Sequence, residues 1–288
     1  MSTPDAPAVQ VEGLRKVFPS RGRGGRDVVA VEDVTFDLPK GGSLAVVGES
    51  GSGKTTLARM VLGLERPTSG TILLDGTDRT EPPRSSSARR ERAREIQIVF
   101  QDPYRSLDPR QSASRCIDEV LRVQGMSKAE DRRSRIAELM DVVGLDERQA
   151  TALPKALSGG QRQRVAIARA LAVKPEVLVL DEAVAALDVS IQAQMLNLLA
   201  DVRAQTGVTY LLISHDLAVV RQVTEDMIVM QRGHVVERGK TSDVLDRPQD
   251  AYTRLLRDSV PRPGWKPVRR ASAAKNGGAS QSTMEVPS

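Results

Sequence analysis

One stretch of this chain constrains its fold more than any other: Gly48-Glu49-Ser50-Gly51-Ser52-Gly53-Lys54-Thr55 fits G-x-x-x-x-G-K-[ST]. The apolar run Leu44-Ala45-Val46-Val47 before it reads as a buried strand. After it, Leu57, Met60, Val61 and Leu64 recur at i, i+3, i+4 and i+7, one helical stripe laid against a sheet, with Pro67 and Gly70 expected to stop the helix. Strand, glycine turn and helix in that order commit the chain to an α/β core. The glycines let successive N–H groups face inward, and the helix N-terminus adds its positive dipole end, so the loop suits phosphates. Lys54 is expected to reach the β- and γ-phosphates, and the Thr55 hydroxyl to ligate Mg²⁺.

Other segments extend this architecture. Val34 to Leu38 alternates as a half-buried strand, Thr71 to Leu74 precedes the Asp75-Gly76 turn, and apolar runs at Ile96 to Phe100, Val177 to Leu180 and Tyr210 to Ile213 read as buried strands. Strands alternating with helices predict a mostly parallel sheet covered on both faces. From 102 to 157 the strand signal gives way to helical periodicity, with Ser127 and Glu130 in a capping-box pattern ahead of Ile136, Leu139, Met140 and Val143. That stretch reads as a helical subdomain inserted into a domain spanning 9–260. Residues 261–288 are rich in Pro, Gly, Ser, Ala and Arg without periodicity and are expected to form a disordered basic tail.

Composition removes several alternatives. Aromatic residues are 2% of the 288, too few for base-stacking platforms, and 42 Lys+Arg against 37 Asp+Glu leave a net charge of only +5. The basic clusters at Arg21 to Arg26, Arg84 to Arg94 and Arg262 to Arg270 read as loops and a tail rather than a nucleic-acid-binding helix face. A single cysteine, Cys116, excludes an intrachain disulfide and a cysteine-built metal site, which favours a reducing cytosol. Neither a signal segment nor a run of about 18 apolar residues is visible, so no export or membrane span is expected.

Val177 to Leu180 ends in Asp181-Glu182. In an open α/β sheet, ligands sit beyond the carboxyl ends of the strands, so Asp181 is expected to hold the Mg²⁺ shell and Glu182 to polarise an attacking water. Alone, such acids more often cap the following helix, and it is their place next to the phosphate loop that favours the metal and water roles. His215 follows the strand Tyr210 to Ile213 and is expected to reach a γ-phosphate, whereas His234, beside Gly233, reads as structural or solvent-exposed. Gln101 ends another strand, where its amide could ligate Mg²⁺ or a water, or simply face solvent.

Leu157-Ser158-Gly159-Gly160-Gln161-Arg162-Gln163-Arg164 opens a helix and resembles the signature motif of ATP-binding-cassette ATPases. With the phosphate loop, Gln101, Asp181-Glu182, Ala186-Leu187-Asp188 and His215 it reproduces that family's motifs in order, over Val9 to Pro261. The resemblance implies a P-loop ATPase core, an N-terminal antiparallel β subdomain and an inserted helical subdomain. It implies ATP and Mg²⁺ as ligands, with Gly48 to Thr56 on the phosphates, Lys54, Gln101, Glu182 and His215 in catalysis, and Thr55, Gln101 and Asp181 on the metal. In the head-to-tail dimer it implies, Ser158, Gly159, Gly160 and Gln161 of one subunit face the phosphate loop of a second cassette subunit, expected to be a non-identical paralogue. Asp188 is implied at that interface, or is a helix N-cap. Phe18 resembles the aromatic that stacks on adenine, or is a core phenylalanine.

Phe100-Gln101-Asp102-Pro103-Tyr104, Ser106-Leu107-Asp108-Pro109-Arg110, Asp188 to Gln194 and Tyr252-Thr253-Arg254-Leu255-Leu256 are similar to the oligopeptide, dipeptide and nickel importer branch. Ala183 and Ala185 stand where that branch usually has Pro and Ser, and the cysteine cluster carried by one of its halves is missing. The branch implies a peripheral subunit on the cytoplasmic face of the membrane, powering uptake of peptides, or of nickel, through two permease subunits fed by an extracytoplasmic solute-binding protein. Coupling is expected through the Gln101 loop, with Tyr104 and Leu107 as apolar anchors for the permease. A cassette subunit of a phosphonate-processing complex and a nucleic-acid-associated cassette protein are the competing readings. The positive balance favours the latter, and the lack of a second cassette, long heptads and interleaved aromatics opposes it.

Overall fold

The strand that carries the phosphate loop, β3 (Ser43–Val47), is buried at all five positions, which requires neighbours on both edges and cover on both faces. The computed structural model, which describes residues 6–20, 26–102, 107–185 and 187–259, supplies them. The pairing partners of β3 are β8 (Thr209–Ser214) and β9 (Asp226–Gln231), both parallel to it. Beyond β8 lie β7 (Val177–Asp181) and β6 (Ile96–Phe100), also parallel, and β10 (His234–Lys240) closes the other edge antiparallel to β9. The six-stranded order is therefore β10-β9-β3-β8-β7-β6. A second, antiparallel sheet has the order β2-β1-β4-β5 and is built from β1 (Val9–Phe18), β2 (Val28–Leu38), β4 (Ser69–Leu74) and β5 (Thr77–Asp78).

Alternation along the buried strands sorts the core into two clusters. Leu44, Val46, Val177, Val179, Leu211 and Ile213 face one side, against Leu57, Met60 and Val61 of α1 (Lys54–Val61) and the inner face of the antiparallel sheet. Ala45, Val47, Leu178, Leu180, Tyr210 and Leu212 face the other, against α6 (Gly159–Leu171) and α7 (Val189–Thr206). That second cluster continues into the helices inserted between β6 and α6: α3 (Ala113–Val123), α4 (Ala129–Val142), α5 (Glu147–Thr151) and a 3₁₀ turn at Pro154–Ala156.

Four expectations are corrected. Helix α1 ends before Pro67: Gly63, at φ +71°, turns the chain, Gly63 N donates to Met60 O and Leu64 N to Arg59 O, and Leu64 is left 63% exposed outside the stripe. The arginine-rich stretch is a helix rather than a loop, α2 (Ser86–Glu95), because Ser85 Oγ accepts from Ala88 N and good helix formers follow. Its Arg92 is buried and donates to Val61 O and Arg79 O. The capping box at Ser127 is not formed; Lys128 is the N-cap of α4 without a side-chain bond, and Arg132 folds back instead to Met126 O and Ser127 O. Leu107, read as a permease anchor, is 4% exposed and part of the core; Tyr104 lies outside the described residues, as do 261–288 and most of the Arg21 to Arg26 cluster.

Candidate functional site

The loop after β3 lies low on the sheet edge because two glycines let it. A Cβ on Gly48 would stand 2.2 Å from Met230 O of β9, and one on Gly53, at φ +107°, 2.2 Å from Ala30 O of β2. Gly51 faces open space, with nothing within 4 Å of a built Cβ. Lys54 opens α1, is 6% exposed, and its Nζ donates to Gly48 O at 2.7 Å and Glu49 O at 2.8 Å. Burial lowers the pKa of this ammonium, opposed by the charges of Glu182, Asp181 and Glu49. Ser52 is buried beneath the loop, where its N–H donates to Glu49 O and its carbonyl accepts from Gly233 N.

Parallel register delivers the acids to the same edge. Phe100 pairs with Asp181, Asp181 with Ile213, and Val47 with Ser214, so β6, β7, β8 and β3 all end level. Immediately past β7, Glu182 turns into the left-handed region at φ +50°, and its N–H donates to Ile213 O at 2.9 Å. The turn aims its carboxylate at His215, whose Nδ1 lies 3.0 Å from Glu182 Oε1. Burial, then the neighbouring Glu182, raise the Asp181 carboxyl above its ordinary value, against weaker pulls from Arg59 and Lys54. Asp216 caps α8 (Leu217–Val223) through Ala218 N and Val219 N and accepts from Gln192 Nε2 of α7.

A cavity of about 900 Å³ opens over this edge, within the range of small-ligand sites. Gly48, Glu49, Ser50, Gly51, Gly53, Lys54, Thr55 and Thr56 form its floor, with Glu182, His215 and Asp216 at one side and Val28 to Ala30 of β2 at another. Of the residues singled out in the sequence, Ser52 lies under the loop, and Asp181, Gln101 and Phe18 do not line the cavity. Gln101 is exposed just past β6, and Phe18 is paired in register with the wall residue Val28, with Lys16 Nζ 4.8 Å from its ring centre. Ser158, Gly159, Gly160 and Gln161 lie elsewhere on the subunit. Ser158 Oγ accepts from Gln161 N, and Gln161 Oε1 from Ser158 N, a capping box at the start of α6, whose first N–H groups have no partner within the helix. Asp188 is the N-cap residue of α7 without a side-chain bond to the helix.

Sequence reasoning assigned no part of the cavity to the last two helices, the short α9 (Thr241–Asp246) and α10 (Ala251–Asp258), yet Leu256 and Ser259 line it and Tyr252 Oη accepts from Glu49 N at 2.9 Å. The only signal was the Tyr252 to Leu256 stretch, noted for its resemblance but given no task. The wall at Val28 and Val29 was hidden because strand alternation is visible only from Val34 onward.

The dimensions and donors suit a nucleoside triphosphate: a glycine floor running into a helix N-terminus, a buried ammonium and an apolar wall beside it. Thr55 and Asp181 offer oxygen donors only, as befits a small hard cation that keeps its waters, and among the described residues no cluster of three or more His, Cys, Asp or Glu forms a metal cage.

Comparisons with known proteins agree with this geometry. The chain is 45% identical over 259 residues to the glutathione import ATP-binding protein GsiA of Salmonella typhimurium, covering 88% of this chain but 41% of that protein, so it spans about two fifths of that relative's length. It is 48% identical over 243 residues to a Brucella abortus (strain 2308) protein provisionally named a peptide import ATP-binding protein, covering 84% of this chain and 72% of that one. Among solved structures, a dimeric ATP-binding cassette in a post-hydrolysis state with ADP and Pi superposes with TM-score 0.71 at 31% identity, covering 81% of this chain and 98% of that one. The cbiO1 cassette of Clostridium perfringens, part of a transporter complex, superposes with TM-score 0.72 at 28% identity, over 84% and 92% of the two chains. Residues 31–185 match the family described as ABC transporter, and the chain belongs to that family as an ATP-binding cassette.

Proposed function

We propose that this chain binds and hydrolyses ATP as the energising subunit of an importer for small peptides, glutathione among them. The observation that carries the proposal is the Glu182–His215 pair at the edge of the cavity over the glycine loop. The loop Gly48 to Thr56, through the free N–H groups at the start of α1, and the Lys54 ammonium hold the phosphates and stabilise charge that grows on them during transfer. Glu182 accepts the proton of the attacking water, and His215, held 3.0 Å away, keeps that carboxylate aimed and offers its other ring nitrogen to the γ-phosphate. Mg²⁺, held by Thr55 and Asp181 with help from Gln101, would supply Lewis-acid neutralisation of the phosphate oxygens.

The signature residues Ser158 to Gln161 act in trans, on the phosphate loop of a second cassette subunit in a head-to-tail dimer, with Asp188 at the interface and Phe18 beside the adenine. The place of these residues at the start of α6, where N–H groups lack a partner within the helix, supports this reading, and so does the dimeric solved cassette. Translocation falls to separate permease subunits, with this chain on their cytoplasmic side and a solute-binding protein feeding them from outside, as the import names of the relatives favour; no helix among the described residues is long and apolar enough to cross a membrane. The names of the relatives favour peptides over nickel as cargo.

The test is Glu182→Gln, which keeps the shape and removes the base. Turnover in the assembled complex should fall about 10²- to 10⁴-fold while ATP still binds and the ATP-loaded dimer accumulates. Near-normal turnover would remove Glu182 from the role of base.

A further inference from the structure

Helix α10 is anchored at its start. Both Glu237 carboxylate oxygens, on the edge strand β10, accept backbone N–H groups, from Gln249 at 2.8 Å and Asp250 at 3.1 Å. Asp250 then caps the helix by accepting from Tyr252 N at 2.7 Å, and Arg254 closes the turn onto Pro248 O and Gln249 O. The helix so fixed turns Tyr252 inward, 7% exposed and packed in the core, while Leu256 and Ser259, one and two turns on, line the phosphate cavity.

What Tyr252 touches there is the second residue of the phosphate loop. The backbone of Glu49 is held on both sides: its N–H donates to Tyr252 Oη, and its carbonyl accepts from Lys54 Nζ and from Ser52 N. Those two grips are not equivalent. Lys54 is the group that must leave the loop carbonyls to meet a phosphate, and when it does, the Tyr252 bond still fixes where the loop departs from β3. Burial raises the phenol above its ordinary pKa, so it stays a neutral O–H through the physiological range.

The geometry points to Tyr252 as a positioning residue of the phosphate loop, held in place by Glu237, with Leu256 and Ser259 completing the cavity wall. The inference rests on the nucleotide-binding reading above and assigns it a part outside the family-like motifs of the loop and strand ends.

Tyr252→Phe removes one oxygen and keeps the ring. In the full chain, affinity for a non-hydrolysable ATP analogue, read by calorimetry, should fall about 2- to 12-fold, the worth of one net hydrogen bond. Amide hydrogen exchange at Glu49 should quicken, while the melting temperature stays close to wild type. In the assembled complex the loss should appear in KM more than in kcat. Glu237→Ala, which frees the start of α10 without touching the loop, should weaken binding in the same direction, whereas Leu255→Ala, on the exposed face, should leave affinity unchanged. Wild-type affinity and wild-type Glu49 exchange in Tyr252→Phe would overturn the inference and leave nucleotide binding intact. If the unaltered chain itself failed to bind the analogue, the reading beneath the inference would fall with it.

Discussion

At Glu182 the backbone adopts a conformation that costs a non-glycine residue about 1–2 kcal/mol, and the return is direction: one peptide past the buried strand, the side chain reaches His215 instead of continuing the strand's alternation. Its neighbour Asp181 is unfavourable in a different way. A carboxyl whose folded pKa is raised contributes stability below its unfolded value of 3.8, and that contribution is lost as pH rises through the folded value. Asp181→Asn should therefore raise the melting temperature at pH 8, and the gain should shrink as melts are repeated toward the unfolded value of 3.8; a gain that grew on acidification would contradict the burial argument. That acids and a histidine gather at this edge was legible in the sequence, because parallel strands end level and ligands sit beyond those ends. The direct pairing of Glu182 with His215 was not, since it depends on one left-handed turn that no pattern of residue types announces.

Among the elements, α6 makes two demands of its first residues. Ser158 caps it, and Gly160 lets α7 approach, since a Cβ there would stand 2.6 Å from Ile191 Cγ2. Ser158→Arg should cost about 1 kcal/mol of stability through the lost cap, spare nucleotide binding by the single subunit, and block closure of the dimer. In a mixed dimer with an unaltered partner, the impaired site should contain the partner's phosphate loop; a defect at the altered subunit's own loop would show the trans geometry to be wrong. Elements with an apolar stripe, α1 and the helices after β6, were legible. Helix α2 was not, because it has almost no stripe: charge runs read as loops unless the cap at Ser85 is recognised and the buried Arg92 is foreseen. Strands β9 and β10 were missed because the pattern from Asp226 to Lys240 mixes a fully buried strand with a half-polar edge.

For the molecule as a whole, the sheet acts as a partition between two cores that share strands but hardly any side chains. The strand at its centre is also the one that carries the phosphate loop, and both its partners come from far along the chain. A chain stopped at residue 208 keeps every residue of the loop and most of both cores, yet β3 then has two bare edges. Such a truncation should bind no ATP analogue and should aggregate, whereas a chain stopped at residue 259 should bind; nucleotide affinity retained by the shorter piece would show the loop to be self-supporting.

The same strand order sets a schedule for synthesis. Val47 leaves the ribosome with nothing to pair with until Ser214 follows, roughly 10 to 30 s later at ordinary elongation rates. Through that interval the apolar strand that will present the phosphate loop is a naked β-edge, so the nascent chain, not the finished protein, is the form most in need of a chaperone.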